Sequence, residues 1–193
     1  MAFGRRKRSS AAKPRTSKKV HTVDGLNYDS AAMVKVHNAW KADELVKTFR
    51  LPTIEDKVKN KKFGAKKCYV NDYLFDSIME AKFYIHLLHE QKAKRVKEFS
   101  MQETFELQEK FRDQFTKKVV RPITYIADFV ILDADDNMTV VDVKGRETAD
   151  FKLKKKMFQH KFRDVKFECV RWVAKEEKWL TLDEIKKIKK KAL

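Results

Sequence analysis

The sequence predicts a mixed α/β domain whose elements run helix, three strands, helix, strand, with a further helix at the C-terminus. Three observations carry this. Leu74, Ile78, Ala81, Ile85 and Leu88 recur at steps of four, three, four and three, the stripe of one apolar helix face. Two β-rich runs, residues 123–132 (ITYIADFVIL) and 139–144 (TVVDVK), flank the turn sequence DADDN and read as a hairpin. A lysine-rich helical pattern over 150–162 then leads to an apolar run, FECVRWVA, at 167–174.

Taken in order, residues 1–20 hold eight Lys and Arg, among them Arg5, Arg6 and Arg8, and no acid. With interleaved Ser, Ala and Pro, this composition predicts a disordered basic arm over 1–27. Residues 28–62 read as a helical extension and linker. Ser30 is placed to cap one or two short helices in which Ala32, Val36, Ala39, Trp40, Leu45 and Phe49 recur at helical spacing, ending near Leu51-Pro52. No chemistry is assigned to 21–62; packing or dimerisation is the expected role. From residue 63 the main domain begins, with a helix over 75–89 capped by Asp76 or Ser77. A short strand at 104–108, the 123–132 and 139–144 hairpin, the 150–162 helix and the 167–174 strand follow. Gly145 ends the second hairpin strand, and Thr181 with Glu184 forms a capping box that opens a helix over 182–192.

Composition narrows the function. The chain has 45 basic and 28 acidic residues, net +17, and without the first 20 residues it is still +9. Fourteen Phe among 42% hydrophobic residues supply a real core, so the charge points to a polyanionic partner and not to wholesale disorder. Nucleic acid is expected before a membrane, because no apolar run approaches the roughly 18 residues of a spanning helix. Cys68 and Cys169, far apart and without CxxC or Cys/His pairing, argue against a disulfide framework or zinc ribbon and fit a reducing cytoplasm. The N-terminus has no apolar stretch of a secretory signal. Four glycines cannot supply a phosphate loop or a dinucleotide fingerprint.

The chemistry concentrates in VVDVKG. Residues two apart in a strand share a face, so Asp142 and Lys144 point one way while Val141 and Val143 point to the other, buried side. Across the hairpin, Asp128 interrupts an apolar run, where a carboxylate is costly unless paired or holding a metal. Glu80 sits beside the apolar stripe of the first core helix, placed to lean over the same sheet edge. Such a cluster suits Mg²⁺, held by Asp128, Asp142 and the carbonyl of Val143 with Glu80 completing the metal site, and Lys144 orienting water or offsetting developing charge. In the following helix Lys152, Lys154, Lys155 and Lys156, with Thr148 before it, are candidates for phosphate contacts, as are Arg5, Arg6 and Arg8. His86 and His89 lack a third ligand and read as ordinary helix histidines. Asp142 and Lys144 as a mere ion pair, with Glu80 solvated, would leave Asp128 unexplained.

At these residues the sequence resembles the PD-(D/E)xK nuclease superfamily, with Glu80 as the helical acid, Asp128 as the isolated Asp and Asp142-Val143-Lys144 as the (D/E)-x-K element. More closely, KKFGAKK, FDSIMEAKFYIHL, FELQ, ITYIADFVI, VVDVKG and ETADFKLKKKMF are similar to a small endonuclease-like family of phages and prophages of Gram-positive bacteria, over roughly 61–173. Ala127 stands where the superfamily's name has Pro. The resemblance implies a restriction-endonuclease-like αβββαβ core within 63–193 and a Mg²⁺-dependent endodeoxyribonuclease, with Mn²⁺ able to substitute. It further implies a role in phage DNA replication, recombination or packaging in the host cytoplasm. A Holliday-junction or other branched substrate and a homodimer, formed through residues 29–51, would follow from the need to cut two strands. The rival expectations are a noncatalytic DNA- or RNA-binding module that keeps the fold, or a ribosome-associated protein.

Overall fold

The computed structural model describes residues 19–56, 66–144 and 147–191. Two tight hairpins come first. β1 (His21–Val23) turns into β2 (Leu26–Tyr28) through Asp24 and Gly25, at φ 49° and 74°, the left-handed pair that matches strand twist. After α1 (Ala31–Ala42), β3 (Phe49–Arg50) pairs with β4 (Cys68–Val70), which turns through Asn71 and Asp72, also at positive φ, into β5 (Tyr73–Phe75). α2 (Ile78–Lys92) opens at Ser77, whose hydroxyl accepts from the Glu80 amide at 3.2 Å.

The chain then builds its main sheet and a side ribbon. β6 (Val96–Met101) enters the sheet; β7 (Thr104–Gln108), β8 (Phe111–Arg112), β9 (Val119–Val120) and β10 (Ile123–Ile126) form the ribbon, β7 pairing with β10 and β8 with β9. β11 (Phe129–Asp133) returns to the sheet. The Asp133 carboxylate accepts from the amides of Asp135 and Asn137, both at 2.9 Å, and so closes the turn into β12 (Met138–Val143). α3 (Ala149–Lys161) crosses over to β13 (Lys166–Val173), parallel to β12, and β14 (Lys178–Thr181) leads into α4 (Leu182–Lys191). The five-stranded sheet is ordered β14-β13-β12-β11-β6, antiparallel except for the β12–β13 pair.

Strand alternation sends the two faces of this sheet into separate apolar clusters. Val141, Val143, Phe129 and Val170 face α1, α2 and the β3–β5 sheet. Val140, Val130 and Cys169 face α3 and the ribbon, where Phe151, Phe158, Leu107 and Tyr125 meet them. A sheet covered on both sides needs strands apolar on both sides, which is why β11 and β12 read as near-continuous hydrophobic runs. Cys68 and Cys169 are buried and free. Among the described residues no helix is long and apolar enough to cross a membrane.

Several expectations are corrected. The hairpin at 21–28 takes up the end of the stretch expected as basic arm, residues 1–27, and runs one residue past it. Of the one or two short helices expected before Leu51-Pro52 there is one, α1, which stops at Ala42, with β3 following; its apolar side, Met33, Val36 and Trp40, is buried in the cluster with α2 and the sheet. That apolar side is therefore taken up within the chain. Leu74 lies in β5 and is exposed; it does not belong to the α2 stripe. The strand expected at 104–108 exists but sits in the ribbon, its place in the sheet being taken by β6.

The ten-residue strand expected at 123–132 breaks at Ala127-Asp128. In the β11–β12 register Phe129 faces Val141, so the Val143 amide would look to Ala127 for its partner. It donates instead to the Asp128 carboxylate at 2.8 Å, while the Ala127 amide donates to the Glu103 carbonyl at 2.8 Å and carries the chain into the ribbon.

The ribbon-side cluster centres on Phe158, 0% exposed and surrounded by the rings of Phe105, Tyr125, Phe162 and Phe167. Phe158→Ala removes a fully buried ring and leaves a cavity, so chemical denaturation is expected to show a loss of about 3–5 kcal/mol.

Candidate active site

β12 ends where three acids and a lysine come near one another. Asp142 is 1% exposed, and its Oδ2 accepts from the Tyr125 hydroxyl. Its Oδ1 lies 2.6 Å from Lys144 Nζ, an ion pair, and meets no other partner among the described residues. Lys144 continues the parallel pairing through its amide, which donates to the Val170 carbonyl at 3.1 Å, and its ammonium stands 5.1 Å from the centre of the Phe151 ring at the start of α3.

Electrostatics at the sheet end are unbalanced. Burial, followed by the charge of Asp142, pushes the Asp128 carboxyl up to about 8, with Lys144 acting against the rise. Burial also raises Glu80. For Lys144, burial disfavours the charge, but Asp142, Asp128 and Glu80 together outweigh it and raise the ammonium. Among the described residues, one cation thus serves three carboxylates. Asp128 and Glu80 line a cleft of about 210 Å³ with Tyr73, Phe75, Met101 and Gln102, while Asp142 lies outside that lining.

Of the residues expected at the site, Asp128, Asp142 and Lys144 are brought together. Glu80 is near enough to influence both Asp128 and Lys144, but its carboxylate is turned to the cap of α2, accepting from Ser77 Oγ at 2.7 Å and the Asp76 amide at 3.3 Å. Among the described residues no three His, Cys, Asp or Glu side chains converge closely enough to hold a metal ion. The donors that fit a divalent cation are therefore Asp128 and Asp142, whose buried Oδ1 meets the Lys144 ammonium and no other group among the described residues; Mg²⁺ is commonly held by one or two carboxylates together with water and phosphate. Val143 supplies its amide to Asp128 and its side chain to the core.

Thr148 caps α3, accepting from the Phe151 amide at 3.2 Å. Lys152 and Lys156 are exposed, and Lys154 lies 3.9 Å from Asp150. Lys155 is turned inward, against Cys169 Sγ at 3.7 Å, Glu147 at 3.9 Å and the Phe167 ring. Arg5, Arg6 and Arg8, and Gly145, lie outside the described residues. His86 and His89 pair with Glu90 and Asp43, as helix histidines do.

Sequence reasoning missed Tyr125. The available signal was a hydroxyl inside an apolar run, which needs a partner once buried.

Asp128 makes a pH prediction. An acid raised on folding makes the native state bind the extra proton, so its contribution to stability falls as pH rises from about 4 toward about 8. In EDTA, the melting temperature of the wild type should drop relative to that of Asp128→Asn between pH 5 and 8. The comparison cancels groups common to both proteins, and a pH-independent difference would refute the protonated acid.

No curated protein and no solved structure matches the chain. A family model described as a protein of unknown function, DUF1064, matches residues 60–181, a span that begins just before β4, ends with β14 and contains Glu80, Asp128, Asp142 and Lys144. The chain belongs to the DUF1064 family.

Proposed function

We propose that the chain is a metal-dependent endodeoxyribonuclease with a restriction-endonuclease-like core. The observation that carries this reading is a buried carboxylate, Asp142, beside a half-buried one, Asp128, at the end of a sheet with Lys144 against them, in a protein of net charge +17. Support for the core comes from the order α2, β6, β11, β12, α3, β13, which is αβββαβ with its strands side by side in one sheet.

Each residue has a task in this reading. Asp128 and Asp142 would hold the divalent cation, Mg²⁺ or Mn²⁺, which when bound offsets phosphate charge and acidifies water. Tyr125 fixes one Asp142 oxygen by hydrogen bonding and so aims the other at the site. Lys144, seated on Phe151, places a positive charge where a phosphodiester would gain negative charge on attack. Glu80 keeps the cleft acidic from the helix side, and Lys152 and Lys156 offer exposed charge to the substrate backbone. The resemblance sets the proposed context, phage DNA replication, recombination or packaging on branched DNA, with a dimer for cutting two strands. The rival is a noncatalytic binding module; the closed Lys144–Asp142 pair and the cap-bound Glu80 favour it.

Two measurements separate these readings. On a panel of linear, single-stranded, forked and four-way DNA with Mg²⁺ or Mn²⁺, the wild type should cut at least one substrate. Asp142→Asn and Lys144→Ala should each lower the rate by about 100-fold or more. A protein that cuts nothing, or variants that cut as well, sinks the proposal. Independently of cleavage, Mg²⁺ or Mn²⁺ at pH 8 should raise the melting temperature of the wild type and leave that of Asp128→Asn unmoved, because a ligand of the native state stabilises it by mass action.

A further inference from the structure

Beyond β7 and β10 the ribbon continues as a hairpin whose strands, β8 and β9, pair with each other and with no other strand among the described residues. Such an isolated pair gains little from packing. Yet its loop is held in one shape. The Asp113 carboxylate accepts from the Phe115 amide at 3.1 Å, the Thr116 amide at 2.5 Å and the Thr116 hydroxyl at 2.7 Å. Across the loop's base the Asp113 amide donates to the Lys118 carbonyl at 2.9 Å, and the Lys117 amide donates back to the Asp113 carbonyl at 3.0 Å.

The shape so fixed projects an aromatic ring into solvent: Phe115 is 92% exposed, with Phe111 and Val119 also exposed below it. A Phe side chain represents on the order of 200 Å² of mostly apolar surface, so fixing it outward gives the isolated chain no burial. Around it stand Lys110, Arg112, Lys117, Lys118 and Arg121, all exposed and, among the described residues, in no ion pair. The segment's two acids are Glu109 and Asp113, and the latter is consumed by the turn.

A ring in a field of unpaired cations suits a polyanion that carries flat π faces, which is nucleic acid. In an intact duplex a ring reaches a base face only by prying a base step apart, at a cost of about a few kcal/mol, whereas an unpaired base offers its face without that cost. We propose that Phe115 is a stacking platform for an unpaired base of DNA, with the surrounding Lys and Arg on the flanking phosphates. The substrate class is thereby narrowed to DNA with a junction, fork or gap. The hairpin grows from the ribbon that ends at Asp128, about a dozen extended residues away, so the tip lies at most about 40 Å from the acid pair. That is on the order of one turn of duplex, about 34 Å. The inference rests on the nuclease reading for its choice of DNA, and deepens it by naming what the protein recognises.

The test uses the full chain in EDTA, where metal-dependent cutting does not occur, with fluorescence anisotropy on a forked and a fully paired DNA of equal length. A 2-aminopurine at the unpaired position of the fork reports stacking. The wild type should favour the fork by about 10-fold and alter the 2-aminopurine signal. Phe115→Ala should lose both while its duplex affinity stays within about twofold. Phe115→Trp should keep them, and Phe115→Leu should behave as Phe115→Ala. The ring contributes nothing to the core, and matching melting temperatures verify that each variant folds.

The proposal is overturned if the wild type shows no preference for the fork, or if Phe115→Ala retains it. It is overturned equally if Phe115→Leu binds as the wild type does, which would mark an apolar contact, or if Phe115→Ala alters the sedimenting mass, which would mark a second copy as occupant. A chain that stacks on the fork in EDTA but cuts nothing with Mg²⁺ loses the nuclease reading and keeps this one. A chain that cuts equally well with Phe115→Ala on every substrate does the reverse.

Discussion

The Val143 amide, donating to the carboxylate of Asp128, is the bond on which the arrangement of the molecule turns. A side chain here takes the place of a backbone acceptor in the β11–β12 ladder. Because it does, the chain need not run straight through Ala127, and the whole stretch from Thr104 to Ile126 is free to lie outside the sheet as a ribbon. Tyr125 then ties that ribbon back by its hydroxyl to Asp142, and Lys144 ties Asp142 to the first turn of α3 through the Phe151 ring. Sheet, ribbon and crossover helix are thus fastened at one polar point. Around it the packing is apolar on both sides, so the polar groups have few partners other than one another.

That point is costly to build. Ionised carboxylates lose several kcal/mol of hydration on burial unless charge and hydrogen bonds replace it, and among the described residues a single lysine faces three acids. For Asp128 desolvation wins, and the proton is retained to about neutral pH. A fold selected for stability alone would fill these positions with apolar residues of similar size, since both flanking clusters are already apolar. The cost is therefore best understood as a store of negative potential that a proton or another cation relieves.

How much of this the sequence disclosed depends on how each feature departs from its surroundings. Asp128, Asp142 and Lys144 were legible because charges inside β-rich apolar runs break the expected pattern, and the 133–137 turn and the Thr181–Glu184 box were legible from side-chain chemistry. The two boxes are alike: Ser77 and Glu80 follow the same spacing, but attention to Glu80 as a site acid hid its capping role. β6, with the sequence VKEFSM, carries too little alternation to announce itself, although it completes the sheet edge. The hairpins at Asp24-Gly25 and Asn71-Asp72 have the right turn residues, yet strands of three residues offer no period to read. The break at Ala127 could not be seen, because it depends on which acceptor the Val143 amide chooses in three dimensions.

The distribution of charge has a consequence for range. Exposed cations on the β8–β9 hairpin and on α3 act through solvent, where at physiological salt their influence extends about 8 Å, enough to gather a phosphate backbone over the surface. Asp128 and Glu80 are half-buried and line a cleft of about 210 Å³, with Asp142 buried behind it, so their opposing field acts chiefly on what enters that cleft. Attraction is spread over the surface and repulsion is kept local. A polyanion can therefore be held by the chain as a whole while a single phosphate meets the negative centre. On the proposed reading, that is the one place where a divalent cation is needed and the one place built to accept it.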